Sequence, residues 1–274
     1  MIKNPYDPRL QIYTPLRMMG MSINSFLTDN KEAFEKDLEN NKSEIVPYQV
    51  GSVAFNMIRP PKVSFDYVPS LEAGETEVTQ ELFQAVMGWN VSKFKDSPQN
   101  PVEEVTWYDC ISFCNKLSNL LGLEECYKMS DIEMDDGAHI TEATVKWDEN
   151  KKGFRLPTDN EWVFFAKAGT DNEWSGTNEE KDLKDYAWYD GNAGRKTHPV
   201  GDKLPNEWGL YDMSGNVQEW CWDLYDPENN TLKRVVRGGS YRYDADYCRV
   251  AVRDWLDADY RYFDLGFRLL RSFG

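Results

Sequence analysis

Apolar residues recur at intervals of three and four in three stretches of the chain, and each stretch carries its own start or stop signals. In the first, Leu82, Phe83, Val86 and Met87 share one face, Thr79 precedes them as an N-cap, and Gly88 stands where a left-handed C-cap belongs. In the second, Cys110, Phe113, Cys114, Leu117 and Leu121 share a face behind Thr106 and Asp109, which points both cysteines into a core rather than toward a redox or metal role. In the third, Thr158 and Glu161 have the spacing in which a hydroxyl and a carboxylate satisfy reciprocal free amides, and Trp162, Phe165 and Ala166 line the buried side before Gly169.

Strand signals are shorter. Residues 51–58 form an apolar run stopped by Pro60 and Pro61, and residues 144–147 and 153–156 flank a polar stretch, which predicts a hairpin with an exposed tip. Residues 30–44 interleave Lys and Glu at helical spacing and predict a solvated helix within an N-terminal extension, residues 1–49. From Tyr186 onward, turns rich in Gly, Asn, Asp and Trp alternate with short strands, so helices come early and strands late, an α+β pattern over residues 50–274.

Composition narrows the possible partners. With 41% hydrophobic and 14% aromatic residues among 274, the chain can bury a sizeable core. A formal net charge of -16, with no clustered Lys/Arg stripe, repels nucleic acid and anionic lipid. No apolar run is long enough to span a bilayer, and the first residues do not resemble a signal peptide. Cys110, Cys114, Cys126, Cys221 and Cys248 are odd in number and irregular in spacing, which is no disulfide framework. His139 and His198 both read as solvated loop residues.

Tyr and Asp crowd the C-terminal segment: Tyr241, Tyr243, Asp244, Asp246, Tyr247, Asp254, Asp257, Asp259, Tyr260, Tyr262 and Asp264, with no Lys or Glu between Ser240 and Phe273. Tyrosine offers a large, stiff surface with a polar tip and aspartate offers adaptable acceptors, a mixture suited to recognition. The flanking Arg237-Gly-Gly-Ser240 and Gly266-Phe-Arg268 read as scaffold.

Six motifs, Thr76-Glu-Val-Thr79, Pro101-Val-Glu-Glu-Val-Thr-Trp107, Arg155-Leu-Pro-Thr158 with Glu161-Trp162, the run from Asn206 to Trp220, Arg237-Gly-Gly-Ser240 and Gly266-Phe-Arg268, occur in one order. In that order the chain resembles the formylglycine-generating-enzyme, or sulfatase-modifying-factor, family over about residues 50–274. The resemblance implies that family's C-type lectin fold: a twisted antiparallel sheet, two flanking helices and long loops. Its oxidases bind copper through two cysteines; here Cys248 matches the second, but Tyr243 stands at the first, and one thiolate cannot make the two-sulfur site that Cu(I) favours. The resemblance therefore implies no required cofactor and no catalytic residue. It also implies a possible calcium site at Asp212, Gly215, Val217 and Glu219, whose alternative is a plain turn with Glu219 paired to an arginine. Trp188 occupies a ligand position of the family's other calcium site.

Within the family, the C-terminal segment is similar to the variable region of proteins diversified by retroelements, in which template adenines are randomised. Residues 237–271 would be that region, with Arg237, Gly238, Gly239, Trp255, Leu265, Gly266 and Phe267 as fixed supports and the Tyr/Asp set as the ligand-facing residues. The expected protein is a monomeric, non-enzymatic receptor for a protein or other macromolecular ligand. Cell-surface display follows from the resemblance alone, with a cytoplasmic location as the alternative. The competing functions are a copper oxidase of sulfatase cysteines and a calcium-dependent carbohydrate binder.

Overall fold

The computed structural model describes residues 42–61, 70–137, 139–228 and 232–273. The solvated helix expected over 30–44 lies outside these residues apart from its last three, of which Glu44 opens a strand. Strand β1 (Glu44–Val50) pairs antiparallel with β2 (Val53–Arg59) around Gly51, whose φ of +59° suits a residue without Cβ. The boundary expected at residue 50 therefore falls inside a hairpin.

β2 pairs with β3 (Leu71–Gly74), β3 with β11 (Leu270–Ser272), and β11 with β6 (Phe154–Arg155), giving an antiparallel five-stranded sheet in the order β1-β2-β3-β11-β6. The last strand thus lies between two early ones, and strands precede as well as follow the helices. Its shortness explains why period-two reading missed it: β11 has three residues.

The hairpin expected from residues 144–147 and 153–156 does not form. β5 (Ile140–Trp147) instead pairs with β4 (Tyr127–Met134), while Phe154 and Arg155 turn inward to pair with β11. Phe154 is fully buried, and its ring meets those of Tyr48 and Phe55 edge-on, so core burial overrides the local turn signal.

All three amphipathic helices form where their caps place them. In α1 (Gln80–Met87) the Thr79 hydroxyl accepts from Leu82 N–H, and Gly88 closes the helix at φ +86°. In α2 (Trp107–Leu120) and α3 (Asp159–Lys167), Thr106 with Asp109 and Thr158 with Glu161 make reciprocal capping boxes, each worth about 1 kcal/mol. Ala168, rather than Gly169, takes the left-handed C-cap of α3, at φ +46°. A fourth, single-turn helix is α4 (Leu183–Tyr186).

Phe83 of α1 stacks on Phe113 of α2 with centroids 5.4 Å apart, and Phe267 meets Phe113 edge-on at 5.2 Å. Cys110 and Cys114 lie fully buried in this same core, and burial pushes both thiols well above their ordinary pKa. A second core, around Trp162, Phe165, Trp208 and Val235, packs α3 against a four-stranded sheet in the order β10-β7-β8-β9. Its strands are β7 (Gln218–Leu224), β8 (Lys233–Arg237), β9 (Asp254–Asp257) and β10 (Leu265–Gly266), with β10 parallel to β7 and the other pairs antiparallel. This sheet carries both ends of the Tyr/Asp-rich segment.

Candidate recognition face

The segment begins where β8 ends. Arg237 is buried; its Nε donates to Asp159 Oδ1 at 2.6 Å and its Nη1 donates to the Val252 carbonyl at 2.6 Å, tying β8 to α3 and to the loop before β9. Gly238 and Gly239 then take φ of +89° and +68°. A Cβ on Gly239 would lie 2.8 Å from Cys248 Sγ and 2.8 Å from the Tyr247 carbonyl oxygen, so only glycine lets the chain double back here.

Ser240 Oγ donates to Asp264 Oδ2 at 2.8 Å, and Gln218 N–H donates to the Asp264 carbonyl at 2.8 Å. Tyr241 N–H donates to the Asn216 carbonyl at 2.9 Å, and its ring is edge-on to Phe94. Between these anchors, Asp244 caps a 3-10 turn, Ala245–Cys248, by accepting from Tyr247 N–H. Below that turn, Trp174, Leu183, Ala187, Ala245 and Cys248 form a small core of their own. The turn is pinned by Trp174 Nε1 donating to the Ala245 carbonyl at 2.6 Å and by Ser214 Oγ donating to the Cys248 carbonyl at 2.8 Å.

On this frame Asp244, Asp246, Tyr247, Asp257, Asp259 and Tyr260 are exposed, while Tyr243, Asp254 and Tyr262 are half-buried. Tyr241 and Asp264, expected among the ligand-facing set, are 1% and 3% exposed and belong to the frame. Strict alternation of roles along a loop is not written in residue type, so Tyr and Asp identity could not separate them. Trp255, expected as a fixed support, is half-buried under Lys233, whose Nζ lies 3.0 Å from its ring centroid. Each exposed tyrosine stacks on a half-buried one, Tyr247 on Tyr243 at 5.4 Å and Tyr260 on Tyr262 at 6.0 Å, which stiffens them as contact surfaces.

The chemistry available to Cys248 and Tyr243 follows from the same geometry. Cys248 is fully buried, and burial pushes its thiol up to about 12, so it is protonated at neutral pH and unsuited to nucleophilic attack or metal binding. Tyr243, beside it in the loop, is a phenol raised to about 12 by burial and by the nearby Asp264 and Asp254 carboxylates.

Of the two carboxylates expected to bind calcium at Asp212, Gly215, Val217 and Glu219, one is already paired with a cation. Glu219 is fully buried; its carboxylate accepts from Arg268 Nη2 at 2.8 Å and Nε at 3.1 Å, and from Trp162 Nε1 at 2.7 Å. A calcium ion would have to displace a buried guanidinium that also donates to the carbonyls of Gly74 and Tyr211. Asp212 Oδ2 accepts from Gly201 N–H, and Asp212 Oδ1 is buried without a hydrogen-bond partner; burial pushes its carboxyl up to about 6. Gly215 serves the backbone instead: its φ is +85°, its N–H donates to the Gly238 carbonyl, and a Cβ would sit 2.3 Å from the Trp188 carbonyl oxygen. Val217 N–H donates to Glu77 Oε1 at 3.1 Å. Of the expected calcium set, the Glu219 carboxylate is thus paired with an arginine and Gly215 makes a turn, while Asp212 Oδ1 has no hydrogen-bond partner.

Glu77, which sequence reasoning did not single out, is the hub beneath this turn. It is almost fully buried, accepts from Asn216 Nδ2 and Val217 N–H, and is pushed well above the usual carboxylate range by burial, with the neighbouring Asp212 and Glu219 adding to it. Its signal was present in Thr76-Glu-Val-Thr79, but not its partners 139 and 140 positions away. Both histidines also depart from the solvated expectation. His139 is buried with Nδ1 2.7 Å from Asp109 Oδ2, and the His198 ring stacks on Trp188 at 3.8 Å.

Fold and face together define a mixed-sheet scaffold that carries an exposed Tyr/Asp-rich surface on a buried frame. Residues 30–273 match the sulfatase-modifying factor enzyme 1-like domain, and the chain belongs to that family, with its C-type lectin fold. Among solved structures it is similar to Treponema denticola variable protein 1, at 41% identity and a TM-score of 0.69 over 83% of this chain and 99% of that one. It is also similar to the chaperone protein LppX of Paenibacillus barcinonensis, 35% identical over 73% of this chain and 79% of the relative. A formylglycine-generating enzyme of Thermomonospora curvata is 28% identical over 65% of this chain but only 57% of its own length.

Proposed function

We propose that this chain is a non-enzymatic recognition protein whose residues 237–271 form a retroelement-diversified binding surface. The observation that carries the reading is the division of one short segment into a buried frame and an exposed Tyr/Asp face. Arg237, Leu265 and Phe267 are buried, and Tyr247 and Tyr260 are 51% and 43% exposed. Substitution at Tyr247, Asp257, Asp259 and Tyr260 leaves the frame's hydrogen bonds intact, which is what a surface meant to vary requires. Similarity to a variable protein over nearly that protein's whole length supports the same reading.

Binding would be equilibrium recognition of a macromolecule by paired, pre-stiffened tyrosines, with little conformational entropy left to lose on contact. Display at a cell surface would suit such a receptor; no helix among the described residues is long and apolar enough to cross a membrane. The oxidase reading is disfavoured by Tyr243 and by the buried, protonated Cys248. Sequencing the native locus tests the proposal: we expect a near-copy of the last hundred or so bases differing at adenines, beside a reverse-transcriptase gene, and their absence would overturn diversification. Copper-dependent oxidation of a peptide cysteine, lost in Cys248→Ser, would overturn the non-enzymatic assignment.

A further inference from the structure

Away from the Tyr/Asp face, a larger concavity opens where β3 stops. β2 pairs with β3 through Met57 and Ile58, and past Gly74 the chain is tied to β2 by Glu75 N–H donating to the Asn56 carbonyl at 3.0 Å. Between Ala54–Asn56 of β2 and residues 75–79 lies a groove of about 330 Å³, at the lower end of the roughly 300 to 1,000 Å³ range of small-molecule sites. Buried Val78, Leu82 and Leu269 line it with apolar surface, and half-buried Tyr211 lines it too. A Cβ on Gly201 would lie 3.9 Å from both the Tyr211 ring and the Thr76 methyl, so glycine there keeps the space between them open.

The polar groups of the groove have hydrogen-bonding capacity left over. Asn56 Nδ2 donates to Glu75 Oε2 at 2.9 Å, which leaves Asn56 Oδ1 and Glu75 Oε1 with no partner among the described residues. Gln99 donates through Nε2 to Glu81 at 2.6 Å and keeps its Oε1. The Thr79 hydroxyl accepts from Leu82 N–H and retains its own proton to donate. Among the described residues no Lys, Arg or His lines the groove, whereas Glu75 and Glu77 do. Neither the Tyr/Asp set nor the expected calcium set contributes a residue to it.

We infer that this groove binds an uncharged, hydroxyl-rich ring, a hexopyranose unit, without a metal ion. A hydroxyl donates and accepts at once, which matches the leftover acceptors on Asn56, Glu75 and Gln99 together with the Thr79 donor. The C–H faces of a pyranose are apolar and suit the Tyr211 ring and the surface of Val78, Leu82 and Leu269. A phosphate, sulfate or carboxylate would enter beside two carboxylates with no cation to meet it. The inference does not depend on the reading of the Tyr/Asp face.

The test is saturation-transfer NMR on the full chain, with the methyl pyranosides of glucose, galactose and mannose as probes. We expect binding of millimolar strength, weakened about fivefold by Asn56→Ala and by Gln99→Ala, the scale of one lost neutral hydrogen bond. The uronide of the bound sugar, with its carboxylate, should bind more weakly, and neither EDTA nor Tyr260→Ala should change the signal. Melting temperatures check that Asn56→Ala, which also unpairs Glu75, remains folded; Gln99, an exposed residue, gives a second reading. Binding that is lost with EDTA or in Tyr260→Ala yet survives Asn56→Ala and Gln99→Ala would overturn the groove, and equal binding of the uronide would overturn the uncharged ligand. Silence from every pyranoside would overturn the inference and leave the Tyr/Asp face, which the native locus tests, untouched.

Discussion

Gly238 to Tyr241 and Asp244 to Asp259 are neighbours in sequence, yet they obey opposite constraints. In the first stretch, each residue has a fixed partner: two left-handed glycines, a serine bonded to a buried aspartate, and a tyrosine 1% exposed. In the second, the backbone is pinned from below by Trp174 and Ser214 while the side chains of Asp244, Asp246, Tyr247, Asp257 and Asp259 project to solvent. Backbone hydrogen bonds and a satellite core hold this loop in shape with Asp244 adding a side-chain cap, and they leave Tyr247, Asp257 and Asp259 outside the frame. That arrangement permits change on one side of a segment and forbids it on the other.

The sharpest way to break the contrast is to attack the frame. Arg268→Ala should cost about 3 to 5 kcal/mol, because it strands the fully buried Glu219 carboxylate along with two carbonyls; denaturant unfolding reads this as a large fall in midpoint or as failure to fold. Gly239→Ala should cost about 2 to 4 kcal/mol, combining left-handed strain with a collision against Cys248, measured in the same way.

A third prediction concerns Glu103, buried beside Phe94, whose carboxyl burial raises to about 7 and whose Oε2 lacks a partner. A carboxyl raised on folding contributes stability that is full below the unfolded pKa and lost as pH rises through the folded one. The wild type should therefore lose stability relative to Glu103→Gln between about pH 4.5 and pH 7, by up to roughly 3 kcal/mol. Thermal melts of the two proteins at pH 5 and pH 8 check the sign: the variant should gain on the wild type at the higher pH. Smaller still, Tyr247→Ala, Asp257→Ala and Asp259→Ala should each change stability by no more than about 0.5 kcal/mol. Millimolar calcium should leave the melting temperature of the wild type unchanged, since Arg268 already occupies Glu219.

What the chain disclosed in advance follows from range. Helix caps act over three or four residues, so Thr79, Thr106 and Thr158 located all three amphipathic helices. The ordered motifs located the fold and the turn at the base of the face. Strand partners act over long range: β5 needed β4 rather than the residues after it, and β11 needed a strand almost 200 positions earlier, as Leu270 opposite Ala73 illustrates. Exposure of a tyrosine or aspartate likewise depends on what packs against it. Residue type alone therefore groups Tyr241 and Asp264 with the face and does not disclose the role of Glu77.

The most direct measurement of the central claim is a display library randomised at Tyr241, Tyr243, Asp244, Asp246, Tyr247, Asp254, Asp257, Asp259, Tyr260 and Asp264, sorted for folded protein and sequenced. The account predicts wide tolerance at Asp246, Tyr247, Asp257, Asp259 and Tyr260, intermediate tolerance at Tyr243, Asp254 and Asp244, whose side chain caps the turn, and strong depletion of substitutions at Tyr241 and Asp264. Equal depletion at the exposed and the buried positions would contradict it.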